Sequence, residues 1–378
     1  MCQIGERLMA RGYLERVLLG KERGTLSWGI RVLLWPLALV YRVGLTVYLA
    51  FYRIGLRKRH RLPATVISVG NLTFGGTGKT PTVQAICRML QQMGKKVAIL
   101  SRGYGGGGSD CVIVSDGVTI LADAAECGDE PVLLARALPG IPVIVGKNRC
   151  RTGELACNRF RPDVIVLDDG LQYWQLHRDL DIVVVDAAKP FGSGFLMPMG
   201  DLREPVGGLK RAGVVLINNV DSTSVTEDAL RRVADLARNA LIFRARPAPA
   251  TLYAVEQDRD IGPEWLTGKK IAAFCGIGRP DSFLRTLESL GASVEVFMEF
   301  SDHHRYTREE LQSIEENSVG CGVEAIVTTE KDWARLGNNA QIRNLYVLGI
   351  RLEIEEIKQL AEHISNRING TSEAIAAS

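Results

Sequence analysis

Between residues 65 and 92 the chain sets an unbroken apolar run, a glycine-rich loop and a helical pattern in direct succession, and no other feature limits its fold as much. The loop reads Gly70-Asn71-Leu72-Thr73-Phe74-Gly75-Gly76-Thr77-Gly78-Lys79-Thr80. A β-branched run without polar alternation is a strand covered on both faces. Glycines that lead straight from such a strand into a helix let backbone N–H groups turn inward on an anion, and the helix N-terminus adds partial positive charge. Gly75, Gly76, Thr77, Gly78, Lys79 and Thr80 are therefore candidate phosphate ligands. Lys79 is placed to reach the terminal phosphates of a nucleotide, and the Thr80 hydroxyl to bind Mg2+.

The body that follows alternates short apolar runs with helical stretches. Strands are predicted at 65–69, 96–101, 142–145, 164–167, 182–186 and 214–217, with helices near 80–93, 130–137, 148–159 and 226–239. This order implies an α/β, P-loop NTPase-type, mostly parallel sheet. Arg246-Pro247-Ala248-Pro249 reads as a linker. Beyond it a smaller second α/β domain is expected, with strands at 271–275, 294–297, 325–328 and 345–348. The expected organisation is thus a basic N-terminal helical segment (1–62), a P-loop domain (63–245), which the resemblance given below makes a kinase domain, a smaller C-terminal α/β domain (246–369) and a frayed tail (370–378). The eight cysteines form no CxxC pair, so zinc-ribbon and thioredoxin-type chemistry have no support.

Net charge is only +3, but its distribution is uneven: residues 1–61 hold 12 Lys and Arg against 3 Asp and Glu. Within this basic head, residues 28–56 are apolar apart from Arg31, Arg42 and Arg53. Uncharged runs of ten residues are shorter than the roughly 20 that a span requires. Arginines eleven apart drift by about 20° per step on a helix and so form one stripe. Such a helix fits the interface of a membrane better than a full crossing, and the Arg57-Lys58-Arg59-His60-Arg61 cluster suits an anionic leaflet. The competing reading is a helix laid on the protein itself. No feature points to nucleic acid or to an obligate protein partner.

A second chemical signal is Asp163-Val-Ile-Val-Leu-Asp168-Asp169-Gly170-Leu171-Gln172. An apolar strand that ends in carboxylates puts negative charge at the sheet edge where the phosphate loop also lies. One aspartate there would serve Mg2+, directly or through water, and its neighbour could orient an acceptor hydroxyl. Asp186 is a weaker strand-end carboxylate. Asn218-Asn219-Val220-Asp221 misses the guanine-reading NKxD pattern by its lysine. Other polar clusters, among them Gly128-Asp129-Glu130-Pro131, Gly200-Asp201-Leu202-Arg203-Glu204-Pro205 and Thr329-Glu330-Lys331-Asp332, are singly no more than caps or turns. In Asp302-His303-His304 a carboxylate could hold an imidazole as a base.

The loop departs from strict GxxxxGK[ST] at Thr73 and is similar to the deviant loop of ParA/MinD-type ATPases, although Phe74 stands where that branch carries a signature lysine. In order, GN(x)4GGTGKTP, LSRGYGG, GDEP, GK-N-R, DDGLQ, the Arg-Glu-Pro loop, DHH-x-Y and TEKD make the chain resemble the tetraacyldisaccharide 4′-kinase family of lipid A biosynthesis. The resemblance implies a kinase on the cytoplasmic face of the bacterial inner membrane, peripheral or monotopic. It would move the γ-phosphoryl group of ATP to the 4′-hydroxyl of a tetraacyl glucosamine disaccharide 1-phosphate, giving lipid IVA. By the same resemblance Lys79 and Thr80 serve ATP and Mg2+, Asp168, Asp169 and Gln172 form the Mg2+ and acceptor side, and Arg149 and Arg203 bind phosphate, with Glu204 beside them. Asp129 and His303 match a catalytic dyad. Tyr173 stands where the family usually has His, and Asp201 adds a charge to the Arg-Glu loop. The alternative is a membrane-associated ParA/MinD-like nucleotide switch. A metallochaperone-type GTPase is disfavoured by the missing NKxD and CxxC.

Overall fold

The structure is a computed structural model that describes residues 16–18, 20, 22, 24–103, 111–220, 226–278, 280–302, 304–320, 322–336 and 342–376, with backbone only at 371–376. The chain forms two compact units, each drawn from separated stretches of sequence: Met1–Lys79, Val164–Arg246 and Ile354–Ser378 in the first, Thr80–Asp163 and Pro247–Glu353 in the second.

The first unit is built on parallel strands. β1 (Thr65–Gly70) lies between β5 (Val164–Asp168) and β6 (Leu180–Asp186), in register through Val69↔Asp168 and Val69↔Ile182. β6 is followed by β7 (Val214–Asn218), in register through Asp186↔Asn218, and β7 pairs with the start of β8 (Leu241–Ala254). Every residue of β1, β5 and β7 is buried, as their unbroken apolar runs require. Because these strands are parallel, Gly70, Asp168, Asp186 and Asn218 all finish at one edge. That is where ligands bind in open α/β sheets.

Helix Thr25–Arg53 precedes this sheet and is about 43 Å long at 1.5 Å per residue. Its buried residues are Ser27, Ala38 and Leu49, again eleven apart, so one narrow stripe faces the protein. The arginine stripe lies four residues beyond each of these. Leu26, Trp28, Val32, Leu33, Trp35, Leu37, Val40 and Val43 remain exposed. The helix is long and apolar enough to cross a membrane. It is also docked on its own unit, since the Tyr41 hydroxyl donates to the Arg203 carbonyl at 2.6 Å. Burial, then the Glu204 carboxylate, pushes the Tyr41 phenol above its ordinary pKa.

In the second unit, β2 (Val97–Ser101) pairs in parallel with β4 (Val143–Val145), and β3 (Val112–Ser115) runs antiparallel to β4. β10 (Lys270–Cys275) pairs in parallel with β11 (Ser293–Glu299) and β12 (Ala325–Thr329), and β12 with β13 (Leu345–Ile354). β9 (Arg259–Asp260) adds a short antiparallel pairing to the end of β8. Phe274, Ile314, Ile326 and Leu345 pack one face of the larger group and Leu252, Ile271, Leu287 and Val327 the other.

Three local expectations need correction. Residues 246–249 are no linker but the middle of the 14-residue β8. Pro247 and Pro249 are two apart, so their missing N–H groups fall on one side of the strand, which keeps its extended course. β3 and β9 are absent from the sequence reading because both are short: β3 is a four-residue run, Val112-Ile-Val-Ser115, and β9 is two exposed charged residues. The tail does not fray at residue 370: helix Ile357–Ala376 carries through it, helped by Ala374 and Ala376, whose side chains cost a helix nothing.

Candidate active site

The phosphate loop runs from Gly70 to Gly78 and opens helix Lys79–Gln92. Gly75 and Gly78 have φ of 112° and 91°, values that side chains rarely adopt. A Cβ at Gly78 would also come within 2.0 Å of the Asn218 amide nitrogen. Asn218 is the reason the loop holds that shape: its Nδ2 donates to the Thr77 carbonyl at 3.0 Å. Inside the loop, fully buried Asn71 acts as a hub. Its Nδ2 donates to Thr77 Oγ1 at 2.9 Å, its Oδ1 accepts from Lys79 Nζ at 3.2 Å, and its carbonyl accepts from Gln172 Nε2 at 2.9 Å.

The strand-end aspartates differ from each other. Asp168 is buried as the last residue of β5. Asp169 takes φ of 53°, an uncommon conformation that costs on the order of 1–3 kcal/mol and clusters at functional sites. Gly170 makes this turn possible, because a Cβ there would lie 2.5 Å from that of Leu167. The Asp169 carboxylate receives Arg203 Nη1 on both oxygens at 2.7 Å and has Lys79 Nζ at 3.8 Å. The Arg203 guanidinium lies 4.6 Å from the ring centre of Phe74. Lys79, Asp169 and Arg203 thus form one cluster at the sheet edge, two cations around one carboxylate.

Asp168 and Asp169 are hard oxygen donors of the kind Mg2+ selects. Mg2+ sites in phosphoryl-transfer enzymes rest on one or two carboxylates plus substrate phosphates rather than on an all-protein cage. Among the described residues no group of three or more His, Cys, Asp or Glu could hold a metal by itself.

Two predicted members also brace the loop. Gln172, expected on the metal side, donates its amide N–H groups to the Asn71 carbonyl and to Glu204 Oε1 at 3.0 Å; a metal would take its side-chain oxygen, which these bonds do not use. Glu204, expected beside phosphate, is buried and paired with both terminal nitrogens of Arg211, at 2.8 and 2.9 Å. Together they brace the phosphate loop against the Arg203 loop. Asp201, read as an added charge near the acceptor, is turned inward: its Oδ1 accepts from the Ser193 amide and hydroxyl at 2.8 and 2.6 Å. Asp186 likewise caps its own loop, accepting from the Ala188 amide and from Asn219 Nδ2.

Thr80, Asp129 and Arg149 belong to the second unit. Thr80 is buried in the first turn of its helix, and Arg149 is buried at the first position of helix Arg149–Phe160, behind the Asn148 cap. Asp129 opens helix Asp129–Ala137, and its Oδ2 accepts from Arg335 Nε at 2.8 Å. Arg335 donates also to the Gly276 carbonyl and to Asp332 Oδ1. Fully buried Asp332 gathers the Gly276 amide, the Tyr306 hydroxyl, the Thr329 hydroxyl and Arg335. Burial, then that carboxylate, drives the Tyr306 phenol well above its ordinary range. The GDEP and TEKD motifs therefore meet, helped by Lys331 beside Glu130 at 3.6 Å. His303, the proposed partner of Asp129, lies outside the described residues. Its neighbour His304 stacks on Phe300 and meets Glu310 Oε2 at 3.0 Å.

Sequence reasoning missed Asn71, Asn218, Arg335 and Tyr306. Asn71 and Tyr306 sit inside quoted motifs, where a reader intent on ligands passes over braces. Arg335 carries no local signal at all. Among the described cysteines Cys87, Cys127 and Cys275 are buried core residues, and burial pushes the Cys127 thiol up to about 12.

Comparison with known proteins gives one answer. The model of the family described as tetraacyldisaccharide-1-P 4′-kinase matches residues 30–369. A tetraacyldisaccharide 4′-kinase of Syntrophus aciditrophicus is 46% identical over 314 residues, 81% of this chain and 84% of that protein. One from Halothermothrix orenii is 35% identical over 95% of this chain and 98% of its own length. The crystal structure of LpxK from Aquifex aeolicus, in complex with ATP, is 30% identical with a TM-score of 0.75 and covers 90% of this chain and 99% of that one. Matches of this length leave the ParA/MinD-like alternative without favour. The chain belongs to the tetraacyldisaccharide 4′-kinase family.

Proposed function

We propose that the chain transfers the γ-phosphoryl group of ATP to the 4′-hydroxyl of a tetraacylated glucosamine disaccharide 1-phosphate. The observation that carries this reading is the Lys79–Asp169–Arg203 cluster, held at the sheet edge by a loop whose form Asn71 and Asn218 fix, in a member of this family. Lys79 releases Asn71 and Asp169 to engage the β- and γ-phosphates. Asp168, Asp169 and the Thr80 hydroxyl would hold Mg2+, which supplies neutralisation of phosphate charge when bound. Arg203, freed from Asp169 in turn, steadies the charge of the transferring group, and Arg149 has the same role. The acceptor oxygen attacks phosphorus as the bond to the β-phosphate oxygen breaks, ADP leaves, and the hydroxyl proton passes to the Asp129–His303 pair. Arg335 fixes the direction of the Asp129 carboxylate. Positioning and charge neutralisation carry most of the rate in such reactions.

The exposed apolar face of helix Thr25–Arg53 brings the enzyme to the cytoplasmic face of the inner membrane, where a multi-acyl acceptor resides. Incubation of the full chain with γ-labelled ATP, Mg2+ and the monophosphorylated disaccharide, read by thin-layer chromatography, tests the proposal. Label should appear in the lipid and vanish in Lys79→Ala. Steady ATP turnover with no labelled lipid would sink it.

A further inference from the structure

The segment after the N-terminal helix is not a loose basic tail. The Arg57 amide donates to the Phe51 carbonyl, the His60 amide to the Gln175 carbonyl and the His177 amide to the His60 carbonyl. This folds Arg57 back on the last turn of the helix and pins His60 alongside residues 175–177, just beyond Trp174. Tyr48, Tyr52 and buried Trp174 then form a row of rings, with centroids 5.3 and 6.5 Å apart. Arg57 stacks on Tyr48 at one end, 5.3 Å from its centre, and Arg59 on Trp174 at the other, at 5.5 Å. Arg178 and Arg211 also lie over Trp174, at 5.4 and 4.4 Å.

These four arginines differ in what they can still bind. Arg178 is spent on Asp181, with bonds of 2.6 and 3.2 Å, and on the Tyr173 carbonyl. Arg211 is spent on Glu204. Around Trp174 that leaves three guanidiniums against two carboxylates, and the surplus charge is that of Arg59. Burial, then the Arg178 charge, lowers the Arg59 pKa, and the Asp181 carboxylate that opposes them does not outweigh them. A stacked guanidinium keeps its N–H edges free for the fork-like contacts that phosphate oxygens accept. Beside this row Phe51, Ile54 and Leu56 are exposed, the last two by about two thirds.

We propose that Arg57 and Arg59, stacked on the Tyr48–Tyr52–Trp174 row beside exposed Phe51, Ile54 and Leu56, form a binding site for the phosphate of a lipid. Arg178 and Arg211, each paired with a carboxylate, fix the platform. The apolar residues next to the cations select a phosphate that carries acyl chains over a free one. The phosphate could come from a bilayer lipid or from the 1-phosphate of the acceptor. The acceptor assignment rests on the kinase reading above, and the site itself does not.

The test uses the full chain and phosphatidylcholine vesicles with and without phosphatidic acid. Arg59→Gln should lower the phosphatidic-acid-dependent part of vesicle binding by clearly more than the roughly fivefold share of one basic residue at an anionic surface, and Arg57→Gln should act likewise. Lys58→Gln removes the same charge from the same segment but no stacked guanidinium, and should cost clearly less. Equal losses for all three would mean diffuse attraction and overturn the site, as would no loss for Arg59→Gln. Turnover of acceptors with and without the 1-phosphate then separates the sources. A rise in KM at unchanged kcat for Arg59→Gln, confined to the phosphorylated acceptor, assigns the site to the substrate. A vesicle effect with no such discrimination assigns it to the bilayer. The vesicle measurement needs no turnover, so it stands if the kinase assay fails.

Discussion

The phosphate-loop cluster of the first unit and the Asp332 network of the second are both dense in charge, yet they are made differently. In the first, Lys79, Asp169 and Arg203 stay partly accessible, and their bonds to each other are ones a nucleotide can replace. In the second, Asp332 is fully buried and saturated by Gly276, Tyr306, Thr329 and Arg335. On the function proposed above, one region holds charge that a ligand would take, and the other uses charge to fix where Asp129 points. Accessibility and exchangeable partners, not the number of charges, separate a binding cluster from a framework.

The sharpest way to break that contrast is Asp332→Ala. It removes the shared acceptor of the Gly276 amide and of the Tyr306 and Thr329 hydroxyls while Arg335 keeps Asp129; buried donors left unsatisfied cost about 1–3 kcal/mol each, visible as a large drop in the denaturation midpoint. A midpoint near wild type would show that the second network is as replaceable as the first. Lys79→Ala should do the opposite, leaving stability nearly intact while lowering phosphoryl transfer on the order of 10²–10³-fold, the loss expected for one preorganised charge-stabilising donor. Parallel kinetics and melting curves decide between the two patterns.

Asn218→Ala sharpens the comparison within the first unit. It removes the bond to the Thr77 carbonyl and should cost about 1 kcal/mol, felt as weaker nucleotide binding in titration calorimetry, with unaltered acceptor KM. A changed acceptor KM would mean that Asn218 serves more than the loop.

The smallest effect concerns Asp179, whose Oδ2 accepts from the Val66 amide at the start of β1 while His177 lies 3.4 Å from its Oδ1. Burial opposes its charge, but His177 and the Val66 amide outweigh it and hold its pKa below the ordinary 3.8. Its contribution is therefore present above that value and lost as pH falls through the lower, folded-state value. Asp179→Asn should lower stability at neutral pH by about 1 kcal/mol and flatten the acid limb of the stability–pH curve. An unchanged acid limb would remove Asp179 from the account.

Much of the loop was legible because its parts are contiguous. Strand β1, the glycines, Lys79 and Thr80 fall within sixteen residues, and their types follow from backbone geometry and phosphate chemistry. The paired aspartates were legible too, as carboxylates at the end of a buried strand. The braces were not. Gln172 and Glu204 look like ligands in sequence, since nothing local says that Arg211 will claim Glu204. Arg335 lies 206 positions from Asp129 and bears no motif of its own. The 246–249 stretch misled for the reverse reason: two prolines signal a break, but a strand tolerates them where its missing donors need no partner.

The amino-acid order alone determined the α/β class, the phosphate loop, the carboxylate strand end and the arginine-striped helix, because each depends on the periodicity or local chemistry of neighbouring residues. Only the tertiary structure decided which charged groups remain exchangeable. Whether a side chain binds a ligand or braces a neighbour depends on which distant partner reaches it first and on how much water is left around it. The sequence carries both facts, but folding alone brings the partners together.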